Sequence, residues 1–375
     1  MKILTLTTYQ GYNYGASLQA YALQTFLKSQ GHETAIIRYE PEYLMRHYAF
    51  WYVNPESSLN RNCATRMLYR VLKWAHRRTT LKRKRVFDFF NHQVLQEDAV
   101  SYKNSEELMA NPPSADTYIC GSDQIWNVLY EAGRDPVFYL EFVRQGKRVS
   151  YAASFSYLDL PQKEITRISD SLRKFDAVST REYQGKELLC SMGIDSEWVL
   201  DPVFLLSTSD WNTLVEREDI LCLEKNNSSN EPYLLIYDFE GNIALKDFAQ
   251  EYARKHHLKI YAIIDRFPLR YADRNIKNAG PADFVRFIKN CDCFISNSFH
   301  GTAFSIIYHK PFYVFKREKA MVNSRMESLL MLFGLKDRMV TGTESVEGEI
   351  DWENVEKVKS VHLAQSLNFL KEVGV

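Results

Sequence analysis

The stretch Lys2–Tyr39, KILTLTTYQGYNYGASLQAYALQTFLKSQGHETAIIRY, decides the fold. Lys2–Thr8 alternates with β-branched residues and reads as a strand. Tyr9–Ala16 is polar and holds Gly11 and Gly15. Ser17 can cap a helix whose apolar residues Leu18, Tyr21, Ala22, Leu23, Phe26 and Leu27 wrap most of its surface. Gly31 supplies the C-terminal stop, and Ala35–Tyr39 is the next strand. A strand, helix and strand in this order form a βαβ unit, the signature of a parallel α/β layer.

The same alternation continues outward. Pro41–Asn60 is aromatic-rich without clear period and reads as an insertion; residues 62–91 look helical. Strands are expected at Thr117–Cys120, Arg148–Ala152, Ala177–Ser179 and Trp198–Leu200, and helices at Gln162–Arg173 and Glu182–Met192. Residues 225–232, KNNSSNEP, are the most linker-like in the chain. A second series follows, with strands at Tyr233–Tyr237, Lys259–Ile264, Cys293–Ser296 and Phe312–Phe315. Helices are expected near 243–256, from Pro281 to about Lys289, and at Gly301–Tyr308. Ser324-x-x-Glu327 has the form of a capping box, and Trp352–Val373 reads as a last amphipathic helix. The expected division is an N-terminal α/β domain over 1–206, with a basic helical insertion around 41–91. A C-terminal α/β domain over 207–345 and a helix over 346–375 follow.

Composition narrows the function. The chain has 375 residues, 47 Lys or Arg against 47 Asp or Glu, and 51 aromatics (23 Tyr, 22 Phe and 6 Trp). A zero net charge argues against a globally basic nucleic-acid binder, and no nucleic-acid partner is expected. Six scattered cysteines without Cys-x-x-Cys read as thiols in a reducing compartment. The opening MKILTLTTYQ does not read as a signal peptide, and the longest apolar run, Tyr48–Val53, falls short of the ~20 residues of a membrane span. A cytoplasmic protein is expected. Between Ser57 and Phe87 there are ten Lys or Arg and no Asp or Glu. The stretch Arg61–Arg85 suits an anionic membrane surface or a lipid-linked pyrophosphate; the bland alternative is a solvated helix face paired with acids of the fold.

Polar residues cluster just after the expected strands, where ligands of α/β sheets bind. Gly11–Gly15 includes Asn13, Tyr14 and Gly15 beside a helix start, where backbone N–H groups can hold an anion. Ser122, Asp123, Gln124, Trp126 and Asn127 follow the strand at 117–120; the polar ones can bond sugar hydroxyls, and Trp126 can stack on a sugar face. Arg181 follows a strand and suits a carboxylate or phosphate. Asn297, Ser298, His300 and Gly301 lead a strand into a helix, which places His300 beside free N–H groups and lets it exchange a proton with a bound anion. Arg325 stands at the start of the capped helix. No Asp-x-Asp, His-Glu-x-x-His or G-x-S-x-G is present, and neither Cys291 with Cys293 nor His256 with His257 makes a metal site.

The segments NYGASLQAYAL (13–23), YICGSDQIWN (118–127), STRE (179–182), LDPVFLL (200–206) and SNSFHGTAFSIIYHKPFYV (296–314) resemble the polysaccharide pyruvyl transferase family. The resemblance implies two Rossmann-like domains in a GT-B-like arrangement, facing across an inter-domain cleft, with the tail helix returning to the first. It implies transfer of the enolpyruvyl unit of phosphoenolpyruvate onto two hydroxyls of one sugar, giving a pyruvate ketal and phosphate. Phosphoenolpyruvate is then a co-substrate, with no cofactor and no metal. The acceptor is a sugar of a polysaccharide or of its lipid-linked precursor. Carried over, Arg181 matches the family's donor-binding Arg and His300 its donor-site His. Relatives often carry Arg two positions before that His, where this chain has Ser298. Either Arg325, Lys316 or another cation takes that place, or the donor differs.

On this reading His300 and Asp123 are the expected catalytic groups. Arg181, Asn297, Ser298, Gly301 and Arg325 would bind the donor; Asn13, Tyr14, Gly15, Ser122, Gln124, Trp126 and Asn127 would bind the acceptor. A GT-B glycosyltransferase using a nucleotide sugar, or a non-catalytic glycan-binding protein, are the competing readings.

Overall fold

The computed structural model describes residues 1–46, 52–53, 60–75, 77–220, 231–265, 268–317, 323–342 and 348–375, without the side chains of 72, 73, 75, 78 and 79. Most of the linker-like stretch 225–232 and much of 41–60 lie outside the described residues.

The first half holds β1 (Lys2–Leu6), α1 (Tyr14–Ser29), β2 (Glu33–Tyr39), α2 (Glu42–Met45), α3 (Cys63–Ala75), α4 (Arg77–Val94), β3 (Glu97–Tyr102), α5 (Ser105–Ala110), β4 (Thr117–Cys120) and β5 (Lys147–Ser150). It continues through α6 (Gln162–Leu172), β6 (Ser179–Thr180), α7 (Tyr183–Ser191), β7 (Glu197–Trp198) and α8 (Thr208–Glu216). The second half holds β8 (Tyr233–Tyr237), α9 (Ile243–Lys255), β9 (Lys259–Ile264), β10 (Arg274–Lys277), α10 (Pro281–Asn290), β11 (Cys293–Ser296), α11 (Phe299–Ile307), β12 (Phe312–Phe315), α12 (Ser324–Leu332) and β13 (Met339–Val340), then α13 (Trp352–Glu372).

Each half is a parallel sheet wound both ways from its first strand. The first runs β3-β2-β1-β4-β5, and isolated bridges from Val149 and Ala153 join it to the β6–β7 pair. The second runs β10-β9-β8-β11-β12-β13. The order reverses between β1 and β4 and again between β8 and β11, so each sheet has a crevice beyond those strand ends. The fold is α/β, with two Rossmann-like halves in the GT-B-like arrangement.

Two local expectations are corrected. Helix α1 begins at Tyr14 rather than after Ser17: Asn13 Oδ1 accepts from the N–H groups of Gly15 (2.9 Å) and Ala16 (3.4 Å), and Ser17 is buried inside the helix. No side-chain cap opens α12, because Ser324 Oγ donates instead to Ser156 O of the first half at 3.0 Å.

Apolar packing welds the halves. Helix α1 is buried on most of its surface because it lies between its own sheet and α10. Tyr14 stacks on Phe284 with ring centres 4.6 Å apart, and one apolar core runs from Ile3 and Leu18 through Phe284, Phe304 and Leu330. Helix α13 returns to the first half. Its Ser366 Oγ accepts from Leu200 N–H at 2.9 Å, the Val373 carbonyl accepts from Lys147 Nζ at 2.9 Å, and Phe369 meets Tyr151.

Candidate active site

The chemistry-bearing side chains meet where the two crevices face each other. The end of β4 leads into Asp123, whose φ of 68° turns the chain back toward Ala153. The end of β6 delivers Arg181, and the segment after β7 delivers Asp201. From the second half, the β11–α11 turn brings Ser298 and His300, and the first turn of α12 brings Arg325.

Arg181 is the hub. Its Nη1 donates to Asp201 Oδ2 at 2.6 Å and its Nη2 lies 3.3 Å from Asp123 Oδ1. Arg325 Nη1 approaches the same Asp123 oxygen at 3.4 Å. Phe299 stacks against both guanidiniums, 4.4 Å from Arg181 and 5.8 Å from Arg325. On the other side of Asp201, His300 Nε2 stands 3.5 Å from Oδ2, too far for a good hydrogen bond. Ser122 Oγ lies 3.1 Å from the same oxygen. Glu182 turns the other way and accepts from Ser154 Oγ and the N–H groups of Phe155 and Ser156. Arg181 Nε, Glu182 Oε2 and His300 Nε2 are buried polar atoms without a hydrogen-bond partner. Such atoms are uncommon, and those of Arg181 and His300, both beside Asp201, leave polar capacity open in the cluster.

Electrostatics agree. Burial alone would raise the Asp201 carboxyl, but His300 and Arg181 hold it well below the usual carboxylate range. Asp123 is also lowered: burial opposes this, and Arg181, His300 and Arg325 win. Arg325 moves the opposite way, down to about 10, through burial and then the like charge of Arg181. Arg181 moves up despite its burial, because Asp201 and Asp123 face it, so the cost of bringing the two guanidiniums to one carboxylate oxygen falls on Arg325.

Several expected contact residues do other work. Trp126 is fully buried, stacks on Tyr139 and donates from Nε1 to Phe138 O, so it is core and cannot stack on a sugar. Tyr14 lies in the interface between the halves, its hydroxyl accepting from Arg83 Nη1 at 2.9 Å. Asn127 is buried and its Oδ1 accepts from Leu129 N–H. The Asn13 oxygen is spent on capping α1. Ser122 is buried, its Oγ bonded to Ala152 O and its N–H to Gln19 Oε1. Asn297 braces the second half: Nδ2 donates to Asp238 Oδ1 and Oδ1 accepts from Phe239 N–H. Ser298 Oγ caps α11 by accepting from Gly301 N–H at 3.3 Å, which also occupies the Gly301 donor. Gly15 faces the site in another sense: a Cβ there would lie 1.8 Å from His300 Nδ1.

The structure thus brings Asp123, Arg181, His300 and Arg325 together. Gln124 joins them, since its amide oxygen, turned toward Arg325, accepts at 2.9 and 3.2 Å. Lys316 is not among them; it is half exposed and paired with Glu327 at 2.8 Å. Asp201 and Phe299 were missed as site residues. Asp201 precedes Pro202 and read as the end of a strand series, and Phe299 read as part of a helix start. A cavity of about 550 Å³ is lined by Phe315, Lys316, Glu327, Leu330, Met339 and Val340, and none of the clustered residues borders it. Arg325 does not line it, because Glu327 and Leu330 lie on the other face of α12.

A sequence profile of the polysaccharide pyruvyl transferase family matches residues 13–318. The chain belongs to this family. The match spans both crevices and includes Asp123, Arg181, Asp201 and His300. No curated protein sequence matches the chain. Among solved structures, a UDP-GlcNAc 2-epimerase from Neisseria meningitidis bound to UDP-GlcNAc is 12% identical, with 100% of this chain and 94% of that one covered and a TM-score of 0.49. The UDP-GlcNAc 2-epimerase from Methanocaldococcus jannaschii, in complex with UDP-GlcNAc and UDP, is 12% identical over 96% and 92%, with a TM-score of 0.46. A glycosyltransferase from Streptomyces nogalater is 11% identical over 100% and 99%, with a TM-score of 0.43. These distant likenesses carry nothing about substrate. Family membership makes the protein an enzyme that transfers pyruvyl groups in polysaccharide biosynthesis.

Proposed function

We propose that the donor is phosphoenolpyruvate and that the product is a pyruvate ketal on a sugar of a polysaccharide or its lipid-linked precursor. The observation that carries this is the pairing of Arg181 and Arg325 on one oxygen of Asp123 at 3.3 and 3.4 Å, beside His300. Those contacts are long. A donor carrying both a carboxylate and a phosphate competes for the guanidiniums with shorter, charge-assisted bonds. Arg325 then supplies the cation that relatives place at the position of Ser298.

In this scheme His300 protonates the methylene carbon of the donor, and Asp201 stabilises the imidazolium before transfer. C2 becomes oxocarbenium-like and one sugar hydroxyl adds to it. The C2–O bond to phosphate then breaks and a second hydroxyl closes the ketal. One proton is gained at carbon and two are lost from the hydroxyls, the second leaving with phosphate or solvent. Asp123, released from the guanidiniums by the donor, is the carboxylate placed to accept a hydroxyl proton. The scheme calls for no metal or cofactor.

A ligand that binds only the folded protein raises its thermal midpoint. Titrating phosphoenolpyruvate, phosphate, UDP, GDP and CMP separately therefore tests the donor. Phosphoenolpyruvate is expected to stabilise the protein, and His300→Ala to weaken the effect. Stabilisation by a nucleotide and not by phosphoenolpyruvate would instead make the protein a nucleotide-sugar transferase.

A further inference from the structure

The basic stretch divides into two parts with different surroundings. In α4, Arg83 is buried; its Nη1 pairs with Asp265 at 2.9 Å and its Nη2 donates to Tyr12 O. Lys84 pairs with Asp88. This part belongs to the fold. Helix α3 is different. Met67, Leu68, Val71 and Trp74 are 61%, 49%, 51% and 66% exposed, large apolar side chains at helical spacing on one face. In the sequence, Arg66, Arg70, Lys73 and Arg77 recur at helical spacing beside that face. From Arg61 to Arg78 there are six Lys or Arg and no Asp or Glu. Among the described residues, no helix is long and apolar enough to cross a membrane.

We propose that α3 lies in the interface of an anionic lipid bilayer, its apolar face in the acyl boundary and its basic stripe at the headgroups. An exposed apolar face flanked by cations and free of acids is the composition of an interfacial helix rather than of a solvated one. A water-facing helix would place polar residues where Met67, Val71 and Trp74 stand. Trp74 at the edge of the face suits the headgroup boundary, where an indole is both apolar and hydrogen-bonding. The cationic stripe selects negative lipid, each Lys or Arg near the surface adding to the attraction. Helix α4 is tied to the second half through Arg83 and Asp265, so a docked α3 holds both halves close to the membrane. This inference does not rest on the identity of the donor.

The test is co-sedimentation of the full chain with vesicles of equimolar phosphatidylglycerol and phosphatidylcholine, against phosphatidylcholine alone, at low and high salt. The wild type is expected to sediment with the anionic vesicles, less at high salt, and not with the neutral ones. Met67→Ser/Val71→Ser/Trp74→Ser should lower the partition by about tenfold or more. Arg61→Glu/Arg66→Glu should lower it and weaken its salt dependence. Both variants alter exposed side chains and should keep the wild-type thermal midpoint and its response to phosphoenolpyruvate. Absence of anionic-vesicle binding at low salt overturns the proposal, as does undiminished binding of the triple Ser variant. A concentration-dependent dimer in sedimentation velocity, lost in the triple variant and formed in place of vesicle binding, would assign the face to a second copy of the chain and overturn it too.

Discussion

Gly15 shows how one missing carbon positions a distant group. The His300 ring occupies the space its Cβ would need, 1.8 Å from Nδ1. Gly15→Ala must therefore push the ring or separate α1 from α11. The expected outcome is a loss of about 1–3 kcal/mol in urea unfolding, with donor binding weakened although residue 15 touches no donor. Asp201 acts through charge. Burial raises its carboxyl and the charges of His300 and Arg181 bring it well below the usual range. A depressed carboxyl contributes stability above its unfolded pKa of about 3.9 and loses it as pH falls through the folded value. Asp201→Asn breaks a buried pair and should cost about 3–5 kcal/mol at neutral pH. In urea midpoints measured across pH, the gap between wild type and variant should stay constant down to about pH 4 and narrow below it.

At the scale of elements, position relative to strand ends was legible and orientation was not. Thr117–Cys120, Tyr233–Tyr237, Lys259–Ile264, Cys293–Ser296 and Phe312–Phe315 read as strands and are strands, because short apolar runs between turns leave little choice. Strands β3 (EDAVSY) and β10 (RNIK) were missed. Both are sheet edges whose outer face meets water, and polar residues hide the period there. Arg181 directly follows a strand and His300 opens the helix after one, and the family resemblance singled out both. Trp126 was misread because nothing in its neighbours' identities says whether the loop turns it outward or into the core. Asp201 was missed because Asp-Pro is also ordinary turn chemistry. Its placement depends on α13, a contact between residues 166 positions apart that no local pattern announces: Ser366 Oγ holds the N–H of Leu200. Ser366→Val leaves that buried donor unpaired. It should cost about 1–3 kcal/mol and weaken donor binding by letting Asp201 drift, both readable in one denaturation and ligand-shift series.

At the scale of the whole molecule, the site exists only because two similar sheets face each other. The first supplies Asp123, Arg181 and Asp201; the second supplies Phe299, His300 and Arg325. Neither half alone can hold two guanidiniums on one carboxylate. The shared apolar core, from Ile3 to Leu330, fixes their distance. Arg325 enters this arrangement at a cost, its pKa pushed down to about 10 by burial and then by Arg181. A group that is unfavourable to the fold and central to the site is the pattern expected of a ligand-binding charge. The central claim, a donor dianion held between the halves by Arg181 and Arg325, is tested most directly by calorimetric titration of phosphoenolpyruvate into the wild type and into Arg325→Gln. Saturable binding is predicted for the wild type, weakened about 10–100-fold in Arg325→Gln by loss of charge-assisted hydrogen bonds, with the variant's thermal midpoint unchanged or raised. No binding to the wild type, or equal binding to a folded Arg325→Gln, would contradict the claim.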